Sequence, residues 1–230
     1  DVRYFNEVGA TYESGRWMLG ILGSLSANLL GSKNYSLPVV NGTITILCIA
    51  AIVYLLVDSL KIQSKPLVIL LCGSMVTFPS VTGTFSYMFT APYYYAASLL
   101  GVVGAWIFHL KKNVVALLLC TVLMACSVGV YVANIPGCIC TLLLYMMEDI
   151  RQSDMNWKTF WKMALCNATV CIGFVTEYFL VNQYFLNQFG VVLTDYKGIN
   201  HFGRTNLSNY IYRILCGYGS FFYPSTAVED

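Results

Sequence analysis

Three long stretches without a charged residue constrain the fold of this chain more than any other feature. They run from Asn34 to Val57, from Pro66 to Phe108 and from Asn113 to Met147. A helix that crosses a bilayer needs about 20 mostly apolar residues, so each stretch can supply at least one crossing. Only 10% of the residues are charged, whereas a soluble domain carries about 25%. The sequence therefore predicts an all-α polytopic membrane protein.

Turn-forming segments divide these stretches into five transmembrane helices, and one more after them brings the expected number to about six. The first stretch predicts one helix. The segment "TFPSVTGTFSYMFTAP" divides the second stretch into helices over about Pro66–Phe78 and Pro92–Leu110. The segment "NIPG" at Asn134–Gly137 divides the third into two short or tilted helices. The sixth helix is predicted over about Phe160–Leu180.

The positions of lysine and arginine predict the orientation of these helices. Basic residues follow the first, third and fifth helices: Lys61, Lys65, Lys111, Lys112, Arg151, Lys158 and Lys162. The alternate connections, 79–91 and 134–137, contain none. Short cytoplasmic loops are rich in lysine and arginine, so the first set is predicted to be cytoplasmic. The N-terminal segment and residues 181–230 are then predicted to lie outside the cytoplasm.

The segment "GRWMLGILGSLSANLLG" at Gly15–Gly31 precedes the first predicted span. Its leucines alternate with small and polar residues, which favours a helix lying along the outer membrane interface. The alternative is a further crossing, and it would remove the agreement of the basic residues with the positive-inside rule.

The whole chain is interpreted as one integral-membrane domain, 1–230. An outer loop and the interfacial helix occupy 1–33, the transmembrane bundle 36–182, and an outer loop leading to a further membrane segment 183–230. The chain lacks an initiator methionine and ends in the polar "STAVED". We therefore expect it to be a piece of a longer protein, truncated at both ends.

Several classes of function are disfavoured by composition and motifs. The formal charge of +2 leaves no basic surplus for nucleic acid. Most of the nine cysteines lie in apolar runs without a CxxC pair, which favours packing over metal or redox chemistry. There is no Walker loop, GxGxxG, HExxH or Ser-His-Asp signature. No cofactor is expected, and a divalent cation is left open.

Five charged residues cluster before the interfacial helix: Asp1, Arg3, Glu7, Glu13 and Arg16. One interpretation is a solvated loop of mutually paired charges, which composition alone favours. The other is an active site at the membrane surface. There a carboxylate would take a proton from a hydroxyl group and the arginines would hold a phosphate.

Two further features lie toward the predicted outer side. "FPSVTGTFSYMFTAPYYYAA" at Phe78–Ala97 is either an interfacial aromatic belt or a surface that stacks on sugars. Glu177, near the outer end of the last predicted helix, is either a functional group or a side chain that snorkels to the interface.

The opening stretch resembles the bacterial Gtr-type membrane glucosyltransferases, the glucosyl transferase GtrII-like family. The resemblance rests on Asp1, "RYFNE", and Gly15-Arg16-Trp17 in the first outer loop, and on the Ser86-Tyr87 pair in the second. "SVGVYVANIPGCICTLLL" at Ser127–Leu144 resembles a family segment that often contains Tyr-Gln. Here Val132 follows Tyr131, so the chain departs from that pattern.

The resemblance implies a GT-C-like bundle in a bacterial plasma (inner) membrane, with its active site facing away from the cytoplasm. It implies an inverting transfer of glucose, or another hexose, from a polyprenyl-phosphate sugar to a cell-envelope polysaccharide. The roles it implies are Asp1 as general base, Glu7 as second acid, Arg3 and Arg16 as phosphate ligands, and Tyr4, Trp17, Ser86 and Tyr87 as substrate-lining residues.

Two alternatives to this enzyme are a transporter or glycolipid flippase, and an inactive scaffold fragment. In a transporter, Arg3, Arg16 and Glu177 would line a translocation path. Such a path calls for ionisable or broken-helix features near the bilayer midplane. The charges instead gather at the predicted outer ends of the helices, which favours chemistry at the membrane surface.

Overall fold

A computed structural model describes residues 11–31, 37–152, 156–194 and 207–222. Within these residues the regular structure is helical, without a strand. The helices are α1 (Trp17–Leu30), α2 (Pro38–Ser59), α3 (Lys65–Thr77), α4 (Pro79–Phe85), α5 (Ala91–Lys111), α6 (Val114–Val130), α7 (Asn134–Gln152), α8 (Trp157–Phe189) and α9 (Leu207–Phe222).

The chain forms two compact units, Asp1–Leu193 and Thr194–Asp230. The first contains α1 to α8, and the second contains α9. α9 has one strongly apolar and one polar face, as its "LSNYIYRILCGYGSFF" sequence suggests. The residues of interest for function in the described part of the chain all belong to the first unit.

Among the described helices, α2, α5 and α8 are long and apolar enough to cross a membrane. These three agree with the predicted helical membrane protein. α1, α3 and α6 are apolar but shorter. The 13 residues of α3 span about 20 Å at 1.5 Å per residue, against a hydrocarbon core of about 30 Å. A count of six spans therefore stays a prediction.

The break in the third uncharged stretch falls earlier than predicted. α6 ends at Val130 and α7 begins at Asn134, so the chain turns at 131–133 and "NIPG" forms the first turn of α7. The prediction of a loop at "NIPG" was wrong. Proline has no backbone N–H, but the N–H groups of a first helical turn have no partner within the helix, so Pro136 is tolerated there. The Asn134 side chain also fastens this turn by donating to the carbonyl and hydroxyl oxygens of Ser127, both at 3.2 Å.

α8 is longer than the predicted span of 160–180. It begins at Trp157 because the Asn156 side chain caps it, accepting a hydrogen bond from the Thr159 amide at 2.8 Å. It ends where Gly190 adopts a left-handed conformation, φ +64°. Its 33 residues extend about 50 Å, so it is longer than a bilayer core is thick.

The core lies where α5, α6, α7 and α8 pack together. Cys120, Met124 and Phe174 are fully buried there. α5 and α6 approach closely at Gly104, where a Cβ atom would lie 3.3 Å from the Cys120 carbonyl oxygen. Small residues at such crossings let apolar helices pack without side chains between them.

The predicted cytoplasmic connections meet at one end of the bundle. Lys61 Nζ donates to the Gln152 side chain at 3.3 Å, and Lys112 Nζ lies 2.6 Å from Asp149 Oδ1. The beginning of α5 is about 30 Å away along the helix axis. There Tyr94 stacks on Tyr131, with 4.8 Å between ring centroids. α2, α5 and α7 therefore all end on the Lys112 side of the bundle, where these basic residues lie.

Glu148 lies at the Lys112 end, just beyond the uncharged stretch that ends at Met147. Its side chain is only 5% exposed. Arg151 donates to both carboxylate oxygens, at 2.6 and 2.8 Å, and the Gln152 amide donates to the same group. These hydrogen bonds lower the pKa of Glu148 to about 2.

We expect Glu148→Gln to lower the melting temperature of the full chain in detergent by a few degrees at pH 7. Because the folded pKa lies below the ordinary value of about 4.3, the carboxylate contributes its full stabilisation above that pH. The contribution is lost as the pH falls toward 2. The difference between wild type and variant should thus shrink between pH 5 and pH 3. A difference that stays constant would contradict the assignment, and Asp58→Asn, an exposed carboxylate, is the control.

Candidate active site

A tight turn places Arg16 at the start of α1. The Arg16 amide donates to the Thr11 carbonyl at 2.8 Å, and the Gly15 amide donates to the Tyr12 carbonyl at 3.0 Å. Gly15 has a φ of +73°, a left-handed conformation that costs side-chain-bearing residues about 1–2 kcal/mol. Glycine at position 15 therefore allows the chain to turn directly into α1.

A hydrogen bond from α8 stabilises this turn. The Tyr178 hydroxyl donates to the Gly15 carbonyl at 3.1 Å, and the ring is only 5% exposed. Asn182 follows one helical turn later and is also buried. Its Oδ1 has no hydrogen-bond partner among the described residues. The turn thus packs against two buried polar side chains of α8.

Trp17 packs into the core directly after Arg16. Its ring is 5% exposed and stacks on Phe185, with 5.9 Å between centroids and 8° between ring planes. Gly129 on α6 makes room for it, since a Cβ atom there would lie 2.5 Å from the indole ring. The structure thus places Trp17 as an anchor for α1, and its predicted contact with substrate stays a prediction.

The Arg16 guanidinium lies over an aromatic pair. Its Cζ atom is 5.3 Å from the centroid of the Tyr131 ring, and Tyr131 stacks on Tyr94. A cation over a tyrosine face is attracted by the ring quadrupole. An arginine also keeps its charge at any physiological pH. The turn and the rings together hold a positive charge at the end of the bundle opposite Lys112.

The remaining predicted site residues fall into two groups. Ser86 and Tyr87 follow α4 and are exposed; Tyr87, 60% exposed, meets Phe89 edge-on at 6.4 Å. Phe89 belongs to the same apolar cluster as Tyr94 and Tyr131. Ser86 and Tyr87 therefore lie toward the Arg16 end of the bundle. Asp1, Arg3, Tyr4 and Glu7 lie outside the described residues.

Glu177 lies inside the bundle next to Tyr178 in the sequence. Its Oε1 accepts a hydrogen bond from the Thr121 hydroxyl at 2.8 Å. Its Oε2 is buried and has no hydrogen-bond partner among the described residues. The structure therefore directs this side chain toward α6, and snorkelling to the interface does not describe it.

Sequence reasoning missed Tyr178 and Asn182. Both lie on a buried strip of α8 in which every fourth residue faces the bundle: Val170, Phe174, Tyr178, Asn182 and Leu186. Residues four apart share one face of a helix. Two polar groups within such a strip indicate a polar contact inside the protein, and this spacing was the available signal.

We expect Gly15→Ala to destabilise the full chain more than Gly31→Ala. Both glycines have a positive φ, +73° and +65°, so both variants carry the same backbone strain. A Cβ atom at Gly15 would also lie 2.5 Å from the Tyr178 hydroxyl oxygen, whereas one at Gly31 would meet nothing within 4 Å. The excess should reach about 1–3 kcal/mol, measured as thermal unfolding in detergent. Equal shifts in melting temperature would contradict the Tyr178 contact.

The fold and the site define a helical membrane protein with a fixed cation at one end of its bundle. The chain belongs to the glucosyl transferase GtrII family, whose family model matches residues 1–229. Neither a search of curated proteins nor a search of solved structures found a match. The resemblance to the Gtr-type glucosyltransferases is thereby confirmed, and the protein is a membrane glucosyltransferase.

Proposed function

We propose that this protein transfers a glucosyl residue from a polyprenyl-phosphate donor to a cell-envelope polysaccharide, with inversion, at the Arg16 end of the bundle. The enzyme would be a GT-C-like protein of a bacterial inner membrane with its active site facing away from the cytoplasm. Membership of a glucosyltransferase family favours this reaction over the alternative of transport.

The observation that carries the proposal is the fixed position of Arg16. The turn at Gly15, the Tyr178 hydrogen bond and the Tyr131 ring all fix where its backbone and guanidinium lie. A planar guanidinium matches the oxygens of a phosphate group. A cation that is held in place before the reaction stabilises developing negative charge without reorganisation. Arg16 is therefore suited to hold the phosphate of a lipid-linked sugar.

The reaction needs a base, a nucleophile and a leaving group. Asp1 takes the proton of an acceptor hydroxyl while the hydroxyl oxygen attacks the anomeric carbon of the sugar. The bond from that carbon to the phosphate oxygen breaks, and the lipid phosphate leaves with the electron pair. Arg3 and Arg16 balance its charge, and Glu7 is a second acid. A single displacement of this kind inverts the anomeric centre.

Substrate contacts follow from the same resemblance. Tyr4, Trp17, Ser86 and Tyr87 are proposed to line the sugar site. The exposure of Tyr87 at the Arg16 end supports its part in this set. The roles of Asp1, Arg3, Tyr4 and Glu7 rest on the family resemblance.

Two observations support an active site on the outer membrane surface. The basic connections meet at the Lys112 end, and such loops favour the cytoplasm. α1 also stays near the Arg16 end along its length. Ser26, near the end of α1, accepts a hydrogen bond from the Tyr93 hydroxyl at 2.7 Å, and Tyr93 is in the first turn of α5. A helix that keeps to one end of its neighbours is suited to the membrane interface.

The proposal is tested by comparing donors with the purified full-length protein in detergent. We expect labelled glucose to reach a polysaccharide acceptor from polyprenyl-phosphate-glucose and not from a nucleotide-glucose. Transfer from the nucleotide donor alone would overturn the choice of donor. Movement of labelled glycolipid across vesicle membranes without any transfer to acceptor would instead favour the flippase alternative.

A further inference from the structure

A cavity of about 380 Å³ lies between α5, α6, α7 and α8 at the Lys112 end of the bundle. It lies at the opposite end from Arg16, and nothing in the proposed transfer reaction uses it. Toward the middle of the bundle its lining is apolar and includes Phe108, Leu117 and Leu142. Toward the end of the bundle it includes the polar side chains of His109, Lys112 and Lys162. The cavity is therefore amphiphilic along its length.

The polar part of the cavity is arranged around one carboxylate. Asp149 Oδ1 lies 2.6 Å from Lys112 Nζ and 3.4 Å from His109 Nδ1. The His109 ring stacks on Tyr145, with 4.9 Å between centroids, which fixes its orientation. Its Nδ1 atom is buried and makes no hydrogen bond to the described residues. The histidine and the lysine thus present a fixed polar surface to the cavity.

The charges around the cavity favour an anion. Lys112, Lys162 and Asp149 line the cavity, and together these two lysines and one carboxylate carry a net charge of +1. Lys162 projects from α8, and its exposed side chain forms no ion pair with the part of the chain that the structure describes. A group that carries one negative charge would balance the site. A phosphodiester carries one negative charge, and lysine binds phosphate groups as a point charge.

We propose that this cavity binds one anionic glycerophospholipid. Its phosphate lies between Lys112 and Lys162 near His109, and an acyl chain runs along Phe108 and Leu117. Basic pockets between membrane helices hold the head groups of anionic lipids. The apolar lining selects a lipid over free phosphate, since inorganic phosphate has nothing to bury against it. Such a lipid would bridge four helices and stabilise the bundle by binding the folded state.

The test measures lipid retained by the purified full-length protein. Native mass spectrometry from detergent would follow binding of dioleoyl-phosphatidylglycerol, with dioleoyl-phosphatidylcholine as the zwitterionic comparison. We expect tight binding of the first lipid and a Kd at least tenfold weaker for the second. The double variant Lys112→Gln/Lys162→Gln should weaken phosphatidylglycerol binding about tenfold or more, because two charges near the phosphate are removed.

The matched control is Lys111→Gln/Lys158→Gln. It removes the same charge at neighbouring residues, at the end of α5 and in the first turn of α8, that do not line the cavity. Binding should stay within twofold of wild type. Lys162→Gln alone keeps the Lys112–Asp149 pair and should still weaken binding about threefold, so misfolding cannot account for the effect. Equal losses in both double variants, no preference over phosphatidylcholine, or inorganic phosphate that displaces the lipid would each overturn the proposal.

Discussion

Asp1→Asn is expected to lower glucosyl transfer from the lipid-linked donor by about 10²–10⁴-fold, the usual contribution of a positioned general base. Asparagine is close to aspartate in shape, but it cannot take the proton of the acceptor hydroxyl. The measurement is the initial rate of labelled-glucose transfer in membranes that contain the full-length variant, normalised to the amount of protein. Expression and membrane insertion should match wild type, because the substitution keeps the size of the side chain and removes only one charge.

Asp58→Asn is the matched control for this experiment. It makes the same chemical change at an exposed carboxylate of α2, next to the Ser59 hydroxyl that pairs with Tyr145 at the Lys112 end. Its transfer rate should stay within twofold of wild type. If Asp1→Asn also kept the wild-type rate, Asp1 would not be the base, and Glu7→Gln would be the next variant to measure.

Arg16→Gln should lower the rate of transfer about 10- to 100-fold. Hydrogen bonds to a charged partner contribute about 1.5–3 kcal/mol, and each 1.36 kcal/mol changes a rate tenfold. Glutamine keeps some hydrogen bonding but loses the charge that balances the departing phosphate. The same transfer assay measures the effect, and Lys158→Gln, an exposed cation at the other end of the bundle, should leave the rate unchanged.

Arg16→Lys separates the charge from the shape of the group. A lysine keeps the positive charge but lacks the planar group that binds two phosphate oxygens as a fork. We expect a rate between those of wild type and Arg16→Gln, with little change in melting temperature. A wild-type rate in Arg16→Gln would remove Arg16 from the site, whatever its contact with Tyr131.

The helical bundle was predictable because the absence of charge over long stretches leaves few other folds. Polar termini also marked most helix ends, as at Lys65 and Lys111. The errors came from local signals that fit two structures. Pro136 would break the interior of a helix, but it is tolerated in a first turn. The structure has the first-turn arrangement, in which the Asn134 side chain donates to Ser127.

The site was predictable only in part because its contacts join distant segments. Gly15 and Arg16 could be identified from a short motif. The contact of Gly15 with Tyr178 spans 163 positions, and no local pattern reports it. Trp17 illustrates the same limit, since an aromatic ring beside a charged loop suits a substrate site or a core. Gly129 has no side chain, and the Trp17 ring occupies the room that this leaves in the core.

The most direct test of an active site that faces away from the cytoplasm compares glucosyl transfer in sealed vesicles of opposite orientation. Polyprenyl-phosphate-glucose is supplied in the membrane, and the polysaccharide acceptor is a membrane-impermeant glycan added outside. An outward-facing active site predicts transfer in right-side-out vesicles, slowed by Arg16→Gln and unaffected by Lys158→Gln. Transfer confined to inverted vesicles would contradict it, because the Arg16 end would then face the cytoplasm.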